Sequence, residues 1–191
     1  GETSIRVPNR WQRLDDWVQQ TYQIHPEHTE EIIVARNAVW EIGYGFTDAK
    51  EKLAWLFSGD LDYRYLSESF VPAQLMSSFH KAEELFGIPA WFLAALAMKE
   101  SSLNPNAVNS RSGAIGLFQL YGDTKKAKVD QLIKEYSHLL PPQAVELYRD
   151  TSTKNDAFYD PFLSDPYINT LAGVLVFIDK CKANNIDLED K

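Results

Sequence analysis

Eleven consecutive residues, Ile88 to Met98, carry neither a charge nor a polar side chain. A helix that is apolar on every side has to be surrounded by other elements, and eleven residues fall well short of the roughly 20 needed to cross a bilayer. The run therefore predicts a buried helix over Pro89 to Glu100, opened by a proline that suits a first helical turn and interrupted only by Lys99. Such a helix is expected at the centre of the fold. The chain must then supply amphipathic partners, and helical periodicity dominates it. Alternating strand patterns are scarce and Asn-Gly or Asp-Gly hairpin signals are absent, so an all-α protein is expected.

Flanking helices follow from apolar spacing and from proline and glycine punctuation. Pro72 to Phe86 places Leu75, Phe79, Ala82 and Phe86 on one side, with Gly87 as its stop. Lys125 to Leu139, Pro142 to Arg149 and Pro166 to Lys182 fit three more helices, the last after an irregular stretch. Upstream, Asn9 to Gln23 carries Trp11, Leu14, Trp17, Val18 and Tyr22 on one face. A second helix after His25-Pro26 turns Ile32, Ile33, Val39, Trp40 and Ile42 inward, and a third is expected over Asp48 to Phe57 behind a Thr47 cap. Gly59 to Ser69 has no helical period and reads as a connection. This divides the chain into an N-terminal helical accessory segment, 1–70, and a second unit, 71–191.

Apolar residues make up 45% of the 191 residues and aromatics 13%, which excludes disorder of the whole chain. With 19 basic and 27 acidic side chains the net charge is −8, so there is no broad positive field for nucleic acid. Cys181 is the single cysteine and reads as a small packed side chain, which excludes an internal disulfide framework. His25, His28, His80 and His138 lack ligand spacing, so neither a metal nor another cofactor is expected. No run is long enough for membrane insertion, and Gly1 to Arg6 lacks the basic start of a signal peptide, so no compartment is read from it.

The informative position is Glu100. A carboxyl that ends an apolar helix and faces a polar groove is in the setting that favours its protonated form, and a protonated carboxyl can donate to a leaving oxygen. The plainer reading is a solvated residue at a helix end. Asn104-Pro105 and Gly113-Ala114-Ile115-Gly116 can likewise be ordinary turns. Alternatively, amides, hydroxyls and glycine backbone are what sugar hydroxyl and acetamido groups pair with.

The blocks Glu100-Ser101-Ser102-Leu103-Asn104-Pro105, Gly113-Ala114-Ile115-Gly116-Leu117-Phe118-Gln119-Leu120 and Asp165-Pro166-Tyr167-Ile168-Asn169-Thr170-Leu171-Ala172-Gly173 occur in that order. Together they resemble the lytic transglycosylases related to the soluble lytic transglycosylases and goose-type lysozymes. The resemblance covers about Val71 to Phe177. It implies a lysozyme-like helical fold, peptidoglycan glycan strands as the partner, and a cell-envelope or extracellular location. It also implies Glu100 as the sole acid and base, with Ser101, Ser110, Gly116, Leu117, Phe118, Gln119 and Asn169 as substrate-binding positions. Gln119 lies nineteen residues after Glu100, one more than usual, and the extra residue falls within Asn109 to Ser112.

Ordinary glycosidases need two carboxyl groups about 5 to 9.5 Å apart, whereas the reaction implied by the resemblance needs one. The muramoyl 6-hydroxyl attacks its own anomeric carbon, and proximity replaces an activated water. Asp123, Asp160 and Asp165 read as cap or turn residues, so transglycosylation is expected ahead of hydrolysis. The chain departs from the resemblance in one respect: after the last helix it has no Ala-Tyr-Asn-Ala-Gly-like block. It is a fragment, or a tyrosine from elsewhere substitutes, or activity is impaired. The alternatives kept open are a lysozyme-type hydrolase, a glycan-binding module without turnover, and a helical interaction domain. Tyr136, Tyr148 and Tyr159 are candidates for either sugar stacking or core packing.

Overall fold

The computed structural model describes residues 71–185. The three helices expected before Ser69 lie outside the described residues. Six α-helices are named here in chain order: α1 (Ala73–Phe86), α2 (Ala90–Ser101), α3 (Asp123–Tyr136), α4 (Pro142–Asp150), α5 (Asp160–Leu163) and α6 (Pro166–Ala183). Among the described residues no strand forms, only isolated bridges, and no single helix is long and apolar enough to cross a membrane.

Proline and glycine set the helix ends as the sequence predicts. Pro72, Pro89 and Pro141 are N-caps, and Pro166 follows the Asp165 cap, whose carboxylate accepts from Tyr167 N and Ile168 N at 2.9 and 3.0 Å. Gly87 closes α1 at φ +75°, its N–H donating 2.8 Å to Glu83 O. The Glu83 side chain also accepts from Ala90 N at 3.0 Å, so one residue closes α1 and serves an orphan donor at the start of α2. The stretch read as irregular before α6 contains a 3₁₀ turn, Asp156–Tyr159, and α5. Neither is long enough to show a period.

α1 packs on both α2 and α6. Phe79, Phe92, Leu93, Ala97, Leu117, Leu171 and Val174 are fully buried, and Phe92 meets Phe177 of α6 with ring centroids 5.2 Å apart. Burial of this apolar surface, roughly 25 cal/mol per Å2, is the main term holding the helices together. Cys181 is buried at the end of α6, and burial pushes its thiol up to about 12, which keeps it protonated and unreactive.

Tyr136, Tyr148 and Tyr159 pack rather than face sugar. Tyr136 sits edge-on to Phe86, and Tyr159 is almost wholly buried. Tyr148 and Tyr159 hydroxyls both donate to Asp130 Oδ1, at 2.6 and 3.2 Å. Lys126 adds a 3.1 Å bond to each of Asp130 and the Tyr159 hydroxyl, and Lys154 lies over the Tyr148 and Phe158 rings. This network ties α3 to α4 and to the 3₁₀ turn.

Candidate active site

Glu100 is the penultimate residue of α2, and its side chain is 25% exposed. The helix stops because Ser102 and Leu103 both adopt left-handed backbone, φ +56° and +60°, a conformation that non-glycine residues rarely take. Ser102 N–H bonds Met98 O and Leu103 N–H bonds Ala97 O, so the reversal satisfies the last carbonyls of α2. The setting expected for Glu100 is corrected in one respect. It is not purely apolar, because Lys99 Nζ lies 3.1 Å from Oε1, with the Lys99 side chain only 7% exposed. Adjacent helical residues normally diverge, which is why the pattern does not announce this pair. A lysine in the last turn also suits the negative end of the helix dipole.

The following loop folds back on itself. Asn104 and Asn109 side chains accept backbone N–H groups two residues on, and Asn109 accepts from Ser112 as well. The extra residue is thus absorbed in a tight turn around Asn109, with Ser110 exposed at its tip. Bridges Val108–Ile115 and Ile115–Leu120 hold the loop. Ala107 O accepts from Gly116 N at 2.9 Å and from Gln119 Nε2 at 3.3 Å, which joins the segment after Glu100 to the glycine turn. Gln119 is half-buried at φ +54°, its amide nitrogen also donating 3.0 Å to Gly116 O. Its amide oxygen accepts no hydrogen bond among the described residues.

Several expected sugar contacts turn out to be scaffold. Asn169 has no exposed surface: Nδ2 donates to Ile115 O and Leu163 O at 3.1 and 2.8 Å, and Oδ1 accepts from Phe118 N at 2.9 Å. It clamps the turn onto α6 and cannot reach a ligand. Leu117 is fully buried in the core. Phe118 packs edge-on to Phe79, with ring centroids 6.0 Å apart, and lies over Gly173. The buried Ser101 hydroxyl donates to Ala97 O at 3.0 Å, a bond back into its own helix. Gly116 has φ +79°, and a Cβ there would stand 2.0 Å from Asn169 Nδ2 and 2.7 Å from Leu163 O. Gly173 is equally constrained, since a Cβ would meet the Phe118 ring at 2.5 Å.

The structure therefore gathers Gly116, Leu117, Phe118, Gln119 and Asn169 into one cluster, joined to the Glu100 end of α2 through Ala107, and leaves Ser110 outside it. Sequence reasoning assigned no role to Lys99, to the Ala107 carbonyl or to Gly173. Gly173 had a signal, its place four residues after Asn169 and hence on the same face of α6. Val108, a member of the first bridged pair, and Tyr121, next to Leu120 of the second, are 69% and 59% exposed and present apolar surface. Among the described residues no group of three His, Cys, Asp or Glu side chains could hold a metal ion.

Residues 77–146 match the family model described as the transglycosylase SLT domain, a span that runs from α1 into α4 and contains Glu100 and the glycine turn. No curated protein and no solved structure matches the chain. The all-α architecture is the lysozyme-like one of SLT domains, which act on peptidoglycan in the cell envelope. The matched span, residues 77–146, is therefore identified as a lytic transglycosylase domain of the SLT type.

Proposed function

We propose that the chain cleaves the β-1,4 bond between N-acetylmuramic acid and N-acetylglucosamine in peptidoglycan, with Glu100 as the single acid and base and a 1,6-anhydromuramoyl product. The observation that carries this reading is the partly exposed Glu100 carboxyl at the end of a buried helix, followed immediately by a strained chain reversal. Among the described residues four non-glycine positions have positive φ, and Ser102, Leu103 and Gln119 are three of them. Strain of this kind persists where the surrounding structure over-determines the backbone, as it does at functional sites. The aspartates considered as a second carboxylate have structural work: Asp165 caps α6, Asp160 pairs with Lys125 at 3.1 Å, and Asp123 occupies the first turn of α3.

In this reading Glu100 gives its proton to the glycosidic oxygen and then takes one from the 6-hydroxyl as that oxygen attacks the anomeric carbon. Lys99 Nζ, 3.1 Å from Oε1, holds the Glu100 carboxyl in place. The Gln119 amide oxygen and the exposed Tyr121 ring supply a hydrogen-bond acceptor and a stacking face for sugar. Digested cell wall should yield muropeptides one water lighter than hydrolysis products, and Glu100→Gln should reduce them by about 10²-fold or more. Full-mass reducing ends would establish a hydrolase instead. The same Lys99 contact favours a second reading, a glycan-binding module without turnover. That reading requires chitooligosaccharide binding that survives Glu100→Gln, with no product from either form.

A further inference from the structure

A second concave site lies between the middle of α1 and the turn that joins α3 to α4. It is an open pocket of about 390 Å3, within the range of roughly 300 to 1,000 Å3 that holds small ligands. One wall is Ser77, Ser78 and Lys81 from a single turn of α1; the floor is Leu139, Leu140 and Pro141; Tyr167 closes the far side. Tyr167 is fixed there because its hydroxyl donates 3.0 Å to Leu139 O.

Three features give the pocket an electrostatic character unlike that of a chain with net charge −8. Lys81 is its one charged lining residue among those described, and no carboxylate lines it. Pro141, on its floor, is the N-cap of α4 and supplies no side-chain cap, so the positive end of a nine-residue helix lies at the same rim. The Ser78 side chain lines the cavity, the residue is only 8% exposed, and its hydroxyl has no hydrogen-bond partner among the described residues. A buried hydroxyl left without a partner is costly, so its exposure to a cavity points to a ligand that completes it.

We propose that this pocket binds a peptide C-terminus, a monoanionic carboxylate on a short apolar arm. Lys81 and Ser78 hold the carboxylate, and Leu139, Leu140 and Pro141 lie under the arm. A single cation above an apolar floor matches a monoanion with an apolar substituent; a phosphate dianion would need more donors and would leave the floor unused. None of its lining residues belongs to the cluster joined to Glu100, so the proposal holds or fails independently of the cleavage reaction.

The test is a titration of the full 191-residue chain, followed by amide NMR shifts, with N-acetyl-alanyl-alanine, its C-terminal amide, acetate and inorganic phosphate. The free dipeptide should shift the amides of Ser77, Ser78 and Lys81 and saturate, with the amidated form about tenfold weaker. Lys81→Gln should weaken binding by a similar factor while the rest of the spectrum is retained, and Ser78→Ala should weaken it less. Equal binding of the amidated dipeptide, or undiminished binding by Lys81→Gln, would overturn the proposal. So would phosphate binding as tightly as the dipeptide, acetate matching it, or no shift up to about 20 mM dipeptide. The amide and acetate arms use the unaltered chain, so the outcome does not depend on either variant folding.

Discussion

The loop from Ser102 to Tyr121 and the segment from Asp123 to Leu163 flank the same helix, α6, yet they are held by different physics. The loop is fixed by close backbone approach: left-handed residues, two glycines with no room for a methyl, and one buried amide that makes three bonds. The segment is fixed by side chains that reach one another around Asp130, and by the Lys128–Asp179 pair that joins α3 to α6. Close backbone approach tolerates no added atom and is indifferent to pH. A network of charged and phenolic groups tolerates shape changes and responds to protonation.

The largest expected effects come from the loop. Gly116→Ala forces a methyl onto Asn169 and onto a backbone carbonyl at positive φ, and should leave little folded protein at 37 °C. Asn169→Ala strands a half-buried N–H and two buried carbonyls, each costing about 1–3 kcal/mol; thermal unfolding should show a loss of at least about 3 kcal/mol. Retention of the wild-type melting temperature by Asn169→Ala would mean that the clamp is not what holds the turn.

In the segment, Tyr148→Phe removes one charge-assisted bond to Asp130 and should cost about 1–2 kcal/mol by denaturant titration. The Tyr148 phenol is pushed up to about 12 by burial and by its bond to Asp130, so it donates throughout the working pH range. Acid should separate the two regions. Burial alone would raise the Asp130 carboxyl, but bonds from Tyr148, Lys126 and Tyr159 outweigh it and hold the carboxyl below its ordinary 3.8. A lowered folded value means that the stabilisation is complete above pH 3.8 and is lost as pH falls through that value toward the folded one. Asp130→Asn should flatten this part of the stability profile, and an unchanged acid limb would refute the assignment. Ser110→Ala, at the exposed tip of the inserted turn, is the smallest case and should change stability by less than about 0.5 kcal/mol.

Helix positions in the described residues were legible because proline and glycine punctuate them; Pro89, Gly87 and Pro166 do in the structure what their chemistry predicts. Within the site, spacing indicated which residues come together but not which way their side chains turn. A helix has a period that separates inside from outside. The loop around Gly116 has none, so Leu117 and Asn169, expected at sugar, are buried instead, and Phe118 is half-buried against the core. Ser101 was hidden by a similar ambiguity, since a serine beside a helix end can face solvent or bond back to the turn below it. The Lys99 contact was beyond reach because helical geometry argues against neighbours meeting.

In the proposed reaction Asn169 and the two glycines build the site and Glu100 performs the chemistry. The most direct measurement is the mass spectrum of muropeptides released from purified cell wall by the wild-type chain and by Glu100→Gln at equal folded concentration. Anhydro products from the wild type and almost none from a variant with wild-type stability are the expected result. Anhydro products released at the same rate by Glu100→Gln would contradict it.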